Sequence, residues 1–209
     1  MDLPWHKLDV VTWSWQKAMG GEAAHGMLVL SPRAVHRLET FKPPRPLPKV
    51  FRLCNDGALI EGIFRGETMN TPSMLCVEDA LDALAWIESI GGQKGCKARS
   101  ERSLAYVAEW VERTPWASFL AQEPATISST SVCLSIAADD LGDKAGDVPG
   151  MMATLLDGEG VAFDINGYRS APPGLRIWCG ATVEPDDVAA LMPWLDWAYE
   201  TVRADLLKG

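Results

Sequence analysis

Short apolar runs and longer stretches of helical spacing alternate along this chain. Residues 8–13 and 27–30 are rich in valine, leucine and tryptophan, which predicts two short strands. Pro32 suits the first turn of a short helix that we expect to reach Leu38. The proline-dense segment 42–48 predicts an extended connector. Residues 54–72 lack periodicity and predict a long ordered loop, a kind of loop that is usually functional.

Helical spacing dominates the middle and the end of the chain. A helix is predicted from Pro72-Ser73 to the glycine pair at 91–92. Further helices are predicted at 97–113, 150–157 and 185–207, and strands at 116–120, 131–136, 161–165 and 175–179. The polar segment 139–149 predicts a solvated loop. Because strands alternate with helices, residues 93–209 predict an α/β sandwich. Four tryptophans on helical apolar faces are expected to be core residues, namely Trp86, Trp110, Trp194 and Trp197.

Composition narrows the class of protein. The chain has 209 residues and a net charge of −9 without a basic run, so we expect no nucleic-acid partner. No apolar run is long enough to span a membrane, and no signal peptide begins the chain, so we expect a cytoplasmic protein. Five scattered cysteines and three histidines lack metal-ligand spacing, so we expect no metal site.

The sequence Trp13-Ser14-Trp15-Gln16-Lys17 carries the strongest chemical signal. It places one lysine between a strand-forming run and the small-residue turn Ala18-Met19-Gly20-Gly21. A lysine at a strand end against tryptophans is partly shielded from water, which favours the neutral amine that attacks carbonyl carbons. The commoner role of such a lysine is to lay its methylenes on an aromatic ring with its charge in water.

Several motifs in fixed order resemble the phosphoserine aminotransferase family of class V pyridoxal-phosphate enzymes. They are Ser14-Trp15-Gln16-Lys17, Gly20 to Gly26, Glu61 to Phe64, Gly66 to Met74 and Pro172 to Gly180. The resemblance runs along the whole chain but covers only the C-terminal part of the family's chains. It implies an α/β fold, namely the end of a fold type I large domain followed by a small α/β sandwich. The implied parts are a large-domain remnant at 1–72, a linking helix at 73–92 and a small domain at 93–209.

The resemblance also implies roles for six residues. Lys17 matches the family's Schiff-base lysine, and Gln16 matches a residue packed beside pyridoxal 5′-phosphate. Asn70 and Thr71 precede a predicted helix N-terminus and match a pair that reaches the cofactor phosphate across a homodimer. By itself, an Asn-Thr pair at that place is more often an ordinary cap.

Two arginines are expected to bind substrate. Arg176 matches the residue that holds the substrate α-carboxylate in bidentate fashion. Arg169 falls where the family has an arginine facing the substrate phosphate. Tyr168 precedes Arg169, whereas many family members have histidine there.

The implied reaction exchanges the amino group of glutamate with 3-phosphohydroxypyruvate, giving phosphoserine and 2-oxoglutarate for serine biosynthesis. The family's carboxylate for the pyridine nitrogen, its stacking aromatic and its main phosphate turn lie upstream of the matched segment. We therefore expect this fragment alone to be inactive and residues 1–70 to expose apolar surface. Two alternatives stay open: another class V aminotransferase, such as an alanine–glyoxylate enzyme, and a catalytically dead α/β interaction module.

Overall fold

The computed structural model describes residues 3–23 and 25–208. The chain divides between Trp86 and Ile87 into two compact units, here called the first and the second unit. The division falls inside a helix that runs from Met74 to Ser89.

The first unit is built from two small antiparallel hairpins and two α-helices. Its elements are β1 (Val10–Ser14), β2 (Gly26–Leu30), α1 (Pro32–Thr40), β3 (Cys54–Asn55), β4 (Ala58–Leu59) and α2 (Met74–Ser89), with single turns of 3-10 helix at Trp5–Lys7, Lys49–Phe51 and Glu61–Arg65. Strand β1 pairs with β2 so that Val10 lies opposite Leu30 and Ser14 opposite Gly26. The predicted strands are confirmed, while β3 and β4 lie in the segment predicted as a loop.

A carboxylate joins the start of β1 to the start of α1. Asp9 Oδ1 accepts hydrogen bonds from Ser31 Oγ at 2.7 Å and Arg33 Nε at 2.8 Å, and Asp9 Oδ2 accepts one from Arg33 Nη2 at 2.7 Å. Ser31 also caps α1, because its Oγ accepts a hydrogen bond from the Ala34 amide at 3.1 Å. The hydrogen bonds from Arg33 and Ser31 hold the pKa of Asp9 below its usual value. These contacts fix the strand that leads to Lys17.

Apolar surface is exposed on one face of the β1–β2 hairpin. The strand register puts Val11, Trp13, Met27 and Val29 on that face. Trp13, Met27 and Val29 are about two-fifths exposed. Ala80 is the one buried hydrophobic residue that the described part of the first unit contains. The exposure expected for residues 1–70 is therefore found.

The second unit contains a three-stranded antiparallel sheet and three long helices. In chain order its elements are α3 (Gly92–Arg113), β5 (Ala117–Phe119), β6 (Ser131–Ile136), α4 (Val148–Gly158), β7 (Leu175–Trp178) and α5 (Pro185–Lys208), with 3-10 turns at Pro124–Thr126 and Asp139–Asp147. The strand order is β5-β6-β7. Helices α3 and α4 both pack against α5.

The core of the second unit forms where these helices meet the sheet. Its fully buried side chains include Trp110, Val132, Leu134, Met152, Leu156, Leu175 and Leu195. Trp116 stacks on Tyr199 with ring centroids 4.0 Å apart. Two polar groups of the core have partners: Trp110 Nε1 donates to Asp196 Oδ1 at 2.9 Å, and the Tyr199 hydroxyl donates to the Ala137 carbonyl at 3.0 Å. The apolar side chains thus close a core without leaving these two groups unsatisfied.

Three predictions about the second unit are wrong. Residues 161–165 form no strand, and the nearby pairing is a single bridge between Asn166 and Leu175. The predicted loop at 139–149 contains 3-10 helix and buries Leu141, because that side chain packs into the core. Trp194 and Trp197, predicted to be core residues, are each 39% exposed and pack edge to face against one another.

Thiol reactivity tests this packing. Burial raises the pKa of the Cys179 thiol to about 11, whereas the other four cysteines are half-buried. Because the thiolate is the reactive form, we expect Cys179 to be the last cysteine labelled by a disulfide reagent at pH 8. Peptide mapping after timed labelling measures the order, and unfolded chain is the control. Early labelling of Cys179 would contradict the core described here.

Candidate active site

Lys17 lies in the turn that joins β1 to β2. The turn is held by backbone bonds from the Gly20 amide to the Lys17 carbonyl at 3.0 Å and from the Gly21 amide to the Trp15 carbonyl at 2.9 Å. Gly20 has a φ of 72°, a conformation that glycine adopts without a steric penalty. Gln16 lies beside Lys17, and its Oε1 accepts a hydrogen bond from Ser14 Oγ at 3.1 Å. The turn therefore presents the amide and the amine side by side.

The expected shielding of Lys17 by tryptophans is wrong for the described chain. Lys17 is exposed, Trp13 is 42% exposed and Trp15 is half-buried. The two-stranded hairpin is too narrow to surround a side chain in its connecting turn.

His25 packs on the inner side of the same turn. Its ring lies 4.9 Å from the Trp15 ring, tilted by 44°. Its Nε2 atom is buried and finds no hydrogen-bond partner among residues 3–23 and 25–208. A buried polar atom without a partner is rare in folded proteins. From its glycine and alanine neighbours, His25 is expected to be a packed structural residue and not a catalytic base, and its contact with Trp15 agrees with the packed role.

Asn70 and Thr71 lie between the 3-10 turn at Glu61–Arg65 and helix α2. Both residues are exposed, and neither side chain forms a hydrogen bond within the part of the chain that the structure describes. Helix α2 begins at Met74, and Ser73 Oγ accepts a long hydrogen bond of 3.4 Å from the Cys76 amide. The expected placement of an amide and a hydroxyl just before a helix N-terminus is therefore found, and such ends attract anions.

Arg176 lies in the middle of β7, opposite Cys133 of β6. Its neighbours Leu175 and Ile177 are 1% and 3% exposed, whereas its own side chain is 33% exposed. Successive residues of a strand face opposite sides of the sheet, so burial of the two neighbours turns Arg176 to the open side. Its guanidinium contacts Asp164, with 3.1 Å between Nη2 and Oδ2.

Arg169 lies at the tip of a loop that leads into β7. The Gly167 amide donates to the Gly174 carbonyl at 2.9 Å, which closes the loop. Gly174 has no room for a side chain, because a Cβ there would lie 2.2 Å from the Leu134 carbonyl oxygen. Arg169 is exposed and forms no ion pair among the described residues. The loop thus joins Arg169 and Arg176 in one local structure.

Each unit brings together its own set of site residues. In the first unit, the Lys17 turn gathers Lys17, Gln16 and His25, while Asn70 and Thr71 share one segment before α2. In the second unit, the loop before β7 gathers Arg169, Arg176 and Asp164. Sequence reasoning missed Asp164. Its only sequence signal is its place in a segment that also contains asparagine and glycine. Aspartate tolerates the positive φ of 53° that the structure shows there.

These residues suit the two ends of pyridoxal phosphate and not its ring. A primary amine in a glycine turn suits the aldehyde, and an amide with a hydroxyl before a helix suits a phosphate. The described ranges contain no cluster of three His, Cys, Asp or Glu side chains fit for a metal ion. None of their helices combines the length and apolarity needed to cross a bilayer.

Comparisons with known proteins agree with this reading of the fold. No family model matches the chain. Phosphoserine aminotransferases of Methanosarcina mazei and Methanosarcina barkeri are 50% and 52% identical to it over 203 residues, 97% of this chain and 53% of each relative. A solved phosphoserine aminotransferase from Cytophaga hutchinsonii is 19% identical, with a TM-score of 0.74, and the match covers 93% of this chain and 51% of that one. The chain spans about half the length of the curated relatives it matches.

The class of fold follows from these matches. It is the mixed α/β fold of half an aminotransferase chain, which confirms the predicted fold class. The chain is similar, over nearly its whole length, to phosphoserine aminotransferase, and the match is consistent with a C-terminal portion of it. The predicted resemblance is thereby confirmed.

The unsatisfied histidine gives a testable prediction. An unpartnered buried polar group costs about 1–3 kcal/mol, and phenylalanine keeps the aromatic contact with Trp15 without that group. We therefore expect His25→Phe to raise the free energy of unfolding of the first unit by about 1 kcal/mol. Urea unfolding followed by hydrogen exchange of the β1 and β2 amides measures it, with His36→Phe as the control. A destabilised His25→Phe chain would mean that Nε2 has a partner within the protein.

Proposed function

We propose that this chain carries the lysine and the substrate-binding arginines of a pyridoxal-phosphate-dependent phosphoserine aminotransferase. The reaction would transfer the amino group of glutamate to 3-phosphohydroxypyruvate, giving phosphoserine and 2-oxoglutarate, a step of serine biosynthesis. The observation that carries the proposal is 50% identity over 203 residues to an aminotransferase of that name, joined to a lysine in a glycine turn at a strand end.

Lys17 holds the cofactor and moves the reacting proton. When bound, pyridoxal phosphate supplies an aldehyde that accepts an amino group and a ring that withdraws electrons from the substrate α-carbon. Lys17 is the residue that would hold the cofactor through its Nζ, and its amine would take the proton from the substrate α-carbon. Lys17 is exposed in this turn.

The other first-unit residues orient the cofactor. Gln16 is adjacent to Lys17 and would lie next to the bound cofactor. The Asn70 amide and the Thr71 hydroxyl would hold the phosphate of a cofactor bound to a second copy of the protein, in which case the active assembly would be a homodimer. Their lack of side-chain hydrogen bonds among the described residues leaves these donors available.

The two arginines divide the substrate between them. Arg176 holds the α-carboxylate through paired N–H···O bonds, for which its partly exposed guanidinium on β7 is suited. Arg169 holds the phosphate of phosphoserine from the loop that Gly167 and Gly174 close. A substrate with only one anionic group gives no reason for the second arginine, so Arg169 favours this reaction over that of an alanine–glyoxylate aminotransferase.

Trapping the cofactor tests the role of Lys17. The chain is co-expressed with the half of the Methanosarcina mazei relative that it does not match, supplied with pyridoxal phosphate and reduced with borohydride. We expect the pyridoxyl group on Lys17, because only that amine lies in the glycine turn, and mass spectrometry of peptides locates it.

The controls for this experiment are other lysines. Lys17→Ala should lose the adduct, and Lys49→Ala should keep it. An adduct on Lys7 or Lys49, or no adduct in the completed protein, would contradict the proposal.

Turnover of two amino donors tests the arginines in the same completed protein. Loss of a charged bidentate contact costs about 2–4 kcal/mol in transition-state binding. We expect Arg176→Ala to lower kcat/KM for glutamate and phosphoserine alike by that amount, and Arg169→Ala to lower it mainly for phosphoserine. Arg102→Ala, at an exposed arginine of α3, is the control. Equal losses for both donors in Arg169→Ala would remove the phosphate role.

A further inference from the structure

Asp164 pairs with Arg176. The proposed function assigns the substrate carboxylate to this same arginine. Asp164 Oδ2 lies 3.1 Å from Arg176 Nη2. Among the described residues this is the one ion pair that Arg176 forms. The same kind of group that the substrate would present is therefore already at the guanidinium.

The backbone keeps Asp164 at this place. The Arg176 amide donates to the Ile165 carbonyl at 2.7 Å, and Asn166 bridges to Leu175. Asp164 therefore lies at the end of a short backbone ladder beside β7, with φ of 53°. A left-handed conformation is uncommon outside glycine, and aspartate and asparagine are among the few residues that tolerate it. The chain path therefore fixes the position of the Asp164 backbone beside Arg176.

The contact is also weak enough to be exchanged. Asp164 is 90% exposed, so its carboxylate regains water readily when it leaves the arginine. It makes one hydrogen bond of 3.1 Å, whereas a free carboxylate can form two parallel bonds to the guanidinium. An exposed ion pair of this kind changes the equilibrium constant for binding a competing carboxylate by at most about fivefold.

We propose that Asp164 is an internal occupant of the carboxylate site, which a substrate carboxylate displaces from Arg176. The inference rests on the proposed function, because it takes Arg176 as the carboxylate-binding residue. Asp164 competes equally with every carboxylate, so it lowers the affinity for glutamate and phosphoserine by the same factor. It also keeps the guanidinium paired when no substrate is bound.

Arginine NMR of the completed protein, in which this chain is co-expressed with the unmatched half of the Methanosarcina mazei relative, tests the proposal. Chain labelled with ¹³C at the guanidinium carbon is titrated with glutamate, and Arg176→Gln identifies the Arg176 signal. We expect Asp164→Asn and Asp164→Gly to bind glutamate about two- to fivefold more tightly than the unchanged chain. Both replacements tolerate a positive φ, so neither strains the backbone. Asp143→Asn, which removes an exposed charge that forms no ion pair with Arg176, should leave the affinity unchanged.

The outcomes separate this inference from the proposed function. Unchanged or weaker glutamate binding in both Asp164 variants overturns it, and weaker binding means that Asp164 positions Arg176 instead. Two outcomes would contradict the carboxylate role of Arg176 and this inference with it. In the first, Arg176→Gln binds glutamate as well as the unchanged chain does. In the second, no form of the chain binds glutamate. If Arg176→Gln abolishes binding while the Asp164 variants do not change it, only this inference fails.

Discussion

The two-residue alternation of strand β7 is the constraint on which the orientation of Arg176 depends. Leu175 and Ile177 enter the core of the second unit, so Arg176 between them has to face the open side of the sheet. The close approach of Gly174 to the Leu134 carbonyl fixes where β7 begins. A shift by one residue would bury the guanidinium and expose two core side chains. The energy of the hydrophobic core therefore determines the orientation of a charged group.

The first unit uses local polar contacts where the second uses a core. Asp9 holds the start of β1 to α1 through Ser31 and Arg33, and two backbone bonds shape the turn at Lys17. These contacts fix the chain path without surrounding the lysine. The unit therefore presents its amine on a defined turn but supplies little of the enclosure that carbonyl chemistry needs.

Sequence reasoning was most accurate where one physical signal dominated. Strand β6 was predicted at its observed bounds because its apolar residues alternate and enter the core. It failed at residues 161–165, where Val161 and Ile165 are apolar but backbone pairing is limited to one bridge. The exposure of Trp194 and Trp197 could not be read from helical spacing, because both sides of α5 carry apolar residues and only the packing of α3 and α4 selects between them. The pairing of Asp164 with Arg176 depends on a chain path that no local pattern encodes.

The unequal burial of the two units has a consequence for cooperativity. The second unit has more than twenty buried hydrophobic side chains. In the described part of the first unit, Ala80 is the one buried hydrophobic residue. Because folding cooperativity comes from shared burial, residues of the first unit can open at a small free energy while the second unit stays folded. A melting temperature of this chain would then describe the second unit, and the hairpin that carries Lys17 would follow its own equilibrium.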